Sequence, residues 1–244
     1  MLSATQAFGV KPAQEGVSVA RPPVLGQIPL FAELTAEELD RLGACLRRRR
    51  YRKGEVIFLQ GDPGTSLYII DAGRVRIGLG SPDGKEVALA LLGPADFFGD
   101  LALLDGEPRS ADAIAHEPSE LLVLRREDFL QFLGAHPRAT TALLGVLSRR
   151  LRRNAQLLQD AAFLDVPGRL ARIILELAQA EGRPDGTGLV ITSRLTQTEL
   201  AGMVGATRES VNKWLRSYER RGLISCQRGQ ITVLRPDELR NCID

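Results

Sequence analysis

Between Leu195 and Arg216 the chain reads LTQTELAGMVGATRESVNKWLR, and its reactive side chains gather on one side of a helix. Arg208, Glu209, Asn212, Lys213 and Arg216 present guanidinium, carboxylate, amide and ammonium groups together. Val211, Trp214, Leu215 and Tyr218 take the opposite side. Such a mixture suits base edges and phosphates in a major groove. The solvated face of any amphipathic helix pair looks much the same, and spacing alone puts DNA reading only slightly ahead, so the flanking segments matter. Upstream, Thr196 with Glu199 three residues later is a capping box, and Leu200, Met203 and Val204 give that first helix an apolar face. Gly205-Ala206 makes a turn, and Thr207 can cap the second helix. Downstream, Gly222 ends the second helix, and residues 223–234 read as two short strands around Arg228-Gly229. Two helices and a hairpin make a winged helix. The candidate DNA-binding residues are then Thr196, Thr207, Arg208, Glu209, Asn212, Lys213, Arg216 and Arg228, with Arg220 and Arg221 as further phosphate partners.

A second set lies in Phe98 to Ser110, FGDLALLDGEPRS. Gly99 allows close backbone approach, and Asp100 to Leu104 can form one helical turn whose amides face an anion. Arg109 can meet a phosphate in a planar two-point contact, Ser110 adds a hydroxyl, and Asp100 can accept from a sugar hydroxyl. The segment reads as a phosphate cradle or as a turn linking strands.

These sets need elements to hold them. The 244 residues suffice for two compact domains, and 44% hydrophobic with 25% charged residues is ordinary for a globular chain. A net charge of +2 says nothing about nucleic acid, but residues 208–228 carry six basic residues against Glu209 and Glu219. Cys45, Cys226 and Cys242 are scattered, which argues against a disulfide framework, a zinc site or an iron–sulfur cluster and suits a reducing cytoplasm. His116 and His136 have no partner at metal-ligand spacing. No apolar run approaches membrane-spanning length, so no membrane association is expected. Residues 1–26 read as a flexible leader.

Residues 27–137 open with a short helix begun at Thr35-Ala-Glu-Glu, with Leu39, Leu42 and Leu46 on its apolar side. The four arginines Arg47 to Arg50 could form a nucleic-acid patch, but without an accompanying aromatic or glycine pattern they read rather as a solvated helix end. From Gly54 to Leu124, short β-rich runs alternate with Gly, Pro and Asp turns, the texture of a barrel or jelly roll. Residues 138–164 form a long helix in which Leu144, Leu147, Leu151, Asn154, Leu158 and Ala161 recur at steps of three and four. That is a coiled-coil seam, or the face of a helix packed on its own domain; the length of the repeat favours a homodimer. Asp165-Val-Pro-Gly-Arg breaks it, and residues 165–244 form the winged-helix domain.

The order of β domain, cassette, long helix and winged helix resembles the bacterial cyclic AMP receptor protein and fumarate–nitrate regulator superfamily over roughly residues 27–240. FGDLALLDGEPRS, GATRESVNKWL at 205–215 and AAFLDVPGRLA at 161–171 carry the resemblance. It implies an α+β chain: an N-terminal cyclic-nucleotide-binding β jelly roll, a long dimerisation helix and a C-terminal winged helix-turn-helix. It implies ligand contacts from Gly99, Asp100, Leu101, Arg109, Ser110 and Asn154. Asp100 stands where cyclic AMP-binding members usually carry Glu, about 1.5 Å longer, and Ala155 beside Asn154 has no hydrogen-bonding side chain. Arg208 and Glu209 match the family's base-reading pair, while Lys213 stands where Arg is usual.

The resemblance implies a homodimeric transcription regulator binding a TGTGA-like inverted repeat in double-stranded DNA. No cofactor is required beyond a cyclic nucleotide effector, cyclic AMP being favoured. RNA polymerase is a further expected partner, with the Arg183 to Leu189 loop as a candidate contact. Two alternatives stand beside this reading: a constitutively active member with a vestigial pocket, and a nucleotide-binding regulatory module acting on a protein partner. No catalytic constellation is present in the sequence, so an enzyme is not expected.

Overall fold

The computed structural model describes residues 22–80, 86–227 and 229–243. Their contacts form two compact units. The first holds the described chain as far as Val75 together with Leu92–Leu143; the second holds Arg76–Leu91 and the chain from Leu144 onward.

Two 3-10 helices, Pro23–Gln27 and Pro29–Phe31, precede α1 (Ala36–Cys45). Proline opens both, since its fixed φ suits a first helical position. Val24, Leu25, Ile28, Leu30 and Phe31 are buried, and the first two of these lie within residues 1–26, the stretch that the sequence suggests is a leader. Then come β1 (Arg47–Tyr51), β2 (Val56–Phe58), β3 (Ser66–Ala72), β4 (Val75–Gly80), β5 (Glu86–Leu92), β6 (Phe97–Phe98), α2 (Leu101–Asp105), β7 (Asp112–Ala115), β8 (Ser119–Arg125) and α3 (Arg126–Ala135). One antiparallel sheet runs in the order β1–β8–β3–β6; β2 pairs with β7, and β4 with β5. Strand β8 is central because both its edges are paired, and its Leu121, Leu122 and Leu124 are fully buried.

The arginine run is the clearest departure from expectation. It is strand β1, not a helix end. Arg48 reaches Asp71 at 2.6 Å and Glu120 at 2.5 Å, and Arg50 reaches the other oxygen of Glu120 at 2.8 Å. Period-two alternation puts Arg48 and Arg50 on one face of β1, so a single carboxylate from β8 serves both.

Helix α4 (Pro137–Phe163) begins in the first unit, where Ala139 and Leu143 are buried, and continues into the second. There α5 (Val166–Glu181), β9 (Gly182–Pro184), β10 (Leu189–Ile191), α6 (Gln197–Val204), α7 (Arg208–Arg220), β11 (Ile224–Gln227), β12 (Gln230–Val233) and α8 (Pro236–Arg240) follow. Three of its helices start on the caps read from the sequence. Asp165 accepts from Gly168 N at 2.9 Å, Thr196 and Glu199 close a capping box, and Thr207 accepts from Ser210 N at 3.2 Å. Gly205 ends α6 with φ +66°, in the left-handed region that favours glycine. The core joins Leu170 and Ile174 of α5, Leu200 of α6, Val211, Leu215 and Tyr218 of α7, and Leu223, Ile231 and Val233 of the wing. The second sheet runs β11–β12–β10–β9. Among the described residues no helix is long and apolar enough to cross a membrane.

The β1–β8 ion cluster predicts a pH dependence. The hydrogen bond from Arg48, opposed in part by burial and aided by Arg50, holds the Glu120 carboxyl below the ordinary range. The folded state therefore binds this proton more weakly than the unfolded state. Its stabilisation is complete above the ordinary glutamate value of about 4.3 and is lost as pH falls through the lower folded value. Glu120→Gln should flatten the acid limb of the first unit's stability, read as the urea midpoint against pH; an unchanged limb would refute the cluster's role.

Candidate effector site and nucleic-acid interface

The Gly99 to Ser110 segment is organised around one buried cation. Arg109 is 4% exposed. Its Nη1 donates to Gly99 O and its Nη2 to Ser66 O, both at 2.7 Å. The guanidinium lies 4.3 Å above the centre of the Phe58 ring and 5.7 Å from that of Tyr68, within cation–π range. Tyr68 in turn stacks on Phe98, with centroids 5.2 Å apart. Burial pulls the Arg109 pKa below the ordinary guanidinium value, while Tyr68, Asp100 and Asp62 pull it back. Its Nε is buried with no hydrogen-bond partner among the described residues. A buried donor left unmatched costs about 1–3 kcal/mol, a deficit that an anion would remove.

The backbone makes this arrangement possible. Gly99 has φ +81°, and a Cβ there would stand 2.5 Å from Arg109 Nη1. Asp100 is 1% exposed at the start of α2, and its carbonyl accepts from Leu103 N and Leu104 N. Arg126 Nε donates to Leu103 O at 3.0 Å and satisfies an orphan carbonyl of α2. Leu101 and Ser110 are exposed. Gly99, Asp100 and Arg109 thus sit together as the sequence suggests, flanked by Leu101 and Ser110. Asn154 lies in the second unit, exposed on α4. Sequence reasoning missed Ser66, Phe58 and Tyr68, which come from other strands and carry no local motif.

On α7, Val211 and Tyr218 are fully buried and Leu215 nearly so, while Arg208, Glu209, Lys213, Arg216 and Arg220 are exposed. Asn212 is half-buried and accepts from Gln197 Nε2 at 3.2 Å. Lys213 Nζ lies 5.6 Å from the Trp214 ring. Lys213, Arg216, Glu219 and Arg220 line an open groove of about 460 Å³. Glu219 accepts from Cys226 N at 2.8 Å and so ties α7 to the wing. Burial and Glu219 push the Cys226 thiol up to about 12, which leaves it un-ionised at neutral pH. Thr196 and Thr207 are exposed N-caps. Arg228 lies outside the described residues.

Along α4 the expected seam is largely in the open. Leu144, Leu151 and Leu158 are 58%, 71% and 73% exposed; Asn154 and Ala161 are exposed and Leu147 is half-buried. Phe163, absent from the repeat read in the sequence, is 81% exposed.

A β domain closing on a buried arginine, followed by a winged helix with a cationic reading face, defines an effector domain joined to a DNA-binding domain. Comparison with known proteins agrees. Residues 48–136 match the cyclic nucleotide-binding domain family, and residues 168–242 match the Crp-like helix-turn-helix domain family. The CRP-like cAMP-activated global transcriptional regulator of Mycobacterium tuberculosis is 37% identical over 210 residues, 86% of this chain and 94% of that protein. The cyclic AMP receptor protein of Thermus thermophilus is 37% identical over 205 residues, 84% and 92% of the two chains. Among solved structures, the c-di-GMP responsive global regulator CLP of Xanthomonas campestris superposes with a TM-score of 0.73 at 27% identity, covering 82% of this chain and 99% of that one. The chain belongs to the CRP/FNR family of DNA-binding transcription regulators. It is a regulator, not an enzyme.

The packing at Gly99 gives a test. Gly99→Ala should strain the backbone and displace Arg109, lowering stability by about 1 kcal/mol or more. Equal urea midpoints for the two proteins would show that Arg109 is not held as described.

Proposed function

We propose that two copies of this chain pair along α4 and present their α7 helices to an inverted repeat, under the control of a cyclic nucleotide seated at Gly99 to Ser110. The observation that carries the effector reading is Arg109, a buried guanidinium with an unmatched Nε in a cassette of the cyclic nucleotide-binding domain. Cyclic AMP is the favoured effector, because relatives 37% identical to this chain are cyclic AMP receptor or cAMP-activated proteins. Arg109 and Ser110 would hold the cyclic phosphate, Gly99 and Leu101 would line it, and Asp100 would accept from the ribose hydroxyl. Asn154 is assigned to the base. The stripe of exposed Leu144, Leu151, Leu158 and Ala161 with half-buried Leu147 supports the dimer, since apolar surface of this extent on a helix calls for a partner.

Within a TGTGA-like half-site, Arg208 takes a guanine and Glu209 a cytosine amino group. Lys213 acts as a point charge without the two-point fork of arginine. Thr196, Thr207, Asn212, Arg216 and Arg228 fix the register on the backbone. Half-sites lie one DNA turn, about 34–36 Å, apart. Binding in the cytoplasm to promoter DNA makes RNA polymerase the further partner.

Arg208→Ala should cost roughly 1–3 kcal/mol on the cognate site and relax preference at one guanine, whereas Arg220→Ala should weaken all sequences alike. Binding profiles across a randomised duplex pool separate the two; the same uniform loss for both would remove Arg208 from the base edges.

Leu151→Lys places like charges across the two-fold seam while altering a side chain that is 71% exposed in the single chain. The fold should survive, the mass by sedimentation should halve, and cognate binding should disappear with the dimer. A dimeric mutant would overturn the seam.

Calorimetry with cyclic AMP, cyclic GMP and c-di-GMP tests the effector. Cyclic AMP should bind, Arg109→Leu should abolish binding with the winged helix still folded, and Asp100→Glu should tighten it by restoring reach to the ribose. No heat from any nucleotide, with high operator affinity already present, would leave the constitutive reading in its place.

A further inference from the structure

Arg169 stands in the first turn of α5, close to where α4 ends. Its Nε donates to Val204 O at 2.9 Å and its Nη1 to Leu164 O at 3.0 Å. Leu164 directly follows α4, and Val204 is the last residue of α6, just before the Gly205 turn into α7. Both carbonyls belong to helix C-termini, which lack intrahelical donors and carry the negative end of the helix dipole. One guanidinium therefore closes the end of the long helix and the end of the first helix of the helix-turn-helix.

A second tie reaches the same short connection from the other side. Tyr218, fully buried on α7, donates its hydroxyl to Pro167 O at 2.7 Å. Two further pairs fasten α4 to α5: Arg153 with Glu176 at 2.6 Å, and Arg172 with Asp160 at 3.2 Å. Asp160 is 6% exposed and also accepts from Gln156 Nε2 at 2.7 Å. Every group named belongs to the second unit.

We propose that Arg169 is a positioning residue for DNA reading: with the Tyr218 hydroxyl, it fastens the end of α4 to the helix-turn-helix, so that α4 and α7 turn as one body. The proposal rests on the assignment above of α7 as the reading helix and α4 as the seam. Only two residues, Leu164 and Asp165, separate α4 from α5. If that joint swivelled freely, each α7 would be ordered only on meeting DNA, and the ordering would be subtracted from specific affinity. Arginine suits the task and lysine does not, because two carbonyls from different helices require donors in a fixed fork. Two of its three guanidinium nitrogens, Nε and Nη1, are turned to protein carbonyls, which leaves only Nη2 for a phosphate.

The test compares full-length wild type with Arg169→Leu, Arg169→Lys and Tyr218→Phe. Each is titrated at several salt concentrations with a duplex that the wild type selects from a randomised pool, and with a scrambled duplex of the same length. Arg169→Leu should bind the selected duplex about tenfold more weakly, the effect of losing a charge-assisted hydrogen bond. Its affinity for the scrambled duplex and its salt slope should stay at the wild-type values. Arg169→Lys should recover part of the loss, and Tyr218→Phe should lose selectivity in the same direction. A drop on both duplexes with a salt slope lower by about one would mark Arg169 as a phosphate contact and overturn the proposal. So would a folded Arg169→Leu with unchanged selectivity. Should Arg169→Leu fail to melt cooperatively, wild-type selectivity in both Arg169→Lys and Tyr218→Phe would overturn it equally. A wild type that selects no duplex would instead remove the reading-helix assignment, before any variant is compared.

Discussion

A guanidinium withdrawn from water must be surrounded by acceptors, because the cost of stranding its charge exceeds what most packing can offset. The effector domain answers that demand at Arg109. Two carbonyls from separate segments, Gly99 and Ser66, take its terminal nitrogens, and the Phe58 ring covers its face. Each partner depends on a different piece of the fold. Ser66 is the first residue of β3, Phe58 the last of β2, and Gly99 follows β6. Glycine at 99 is obligatory twice over, through its φ of +81° and because a Cβ would collide with the guanidinium. The aromatic stack of Phe58, Tyr68 and Phe98 supplies polarisable surface without supplying an anion. Among the described residues Nε has no hydrogen-bond partner, and under the proposed reading a phosphodiester oxygen would supply one.

The second unit handles its arginines by two different rules. Arg169 and Arg172 are partly buried and spend their donors inside the protein, on helix-end carbonyls and on Asp160. Arg208, Arg216 and Arg220 stand in solvent on α7. The near-neutral net charge of +2 conceals this division. Overall basicity is therefore a poor guide to nucleic-acid binding here; which arginines the fold consumes, and which it leaves exposed, is a better one.

Legibility in the sequence followed the range of the interactions. The caps at Asp165, Thr196 and Thr207 bond three residues along the chain, so residue type and spacing suffice to find them. Strand β1 could not be found that way. Arg48 and Arg50 are neutralised by Asp71 and Glu120, which only the folded sheet brings near, so part of a run that looks repulsive in one dimension is an ion cluster in three. Helix α3 follows β8 directly, with Arg125 as an N-cap whose side chain caps no backbone amide, and therefore gives no starting signal. At the cassette, the motif announced Gly99, Asp100 and Arg109. Ser66 and Phe58 lie 43 and 51 residues before Arg109, and as a backbone carbonyl and an ordinary strand phenylalanine they leave no trace by type.

Helix α4 is where the two halves of the function have to be joined. Its first turns are anchored by Ala139 and Leu143 in the effector unit, its middle bears the exposed leucines, and its last turns are pinned to α5 by Arg153 and Asp160. An effector can alter DNA affinity only by binding one arrangement more tightly than another. If two copies meet along the leucine stripe, the arrangements available to them are packings of that stripe, and Asn154 is the one polar group set into it. Under that geometry a ligand touching Asn154 would act on the seam directly. With α4 fastened to the helix-turn-helix at Leu164, a small rotation at the seam would re-aim both reading helices rather than be absorbed at the joint.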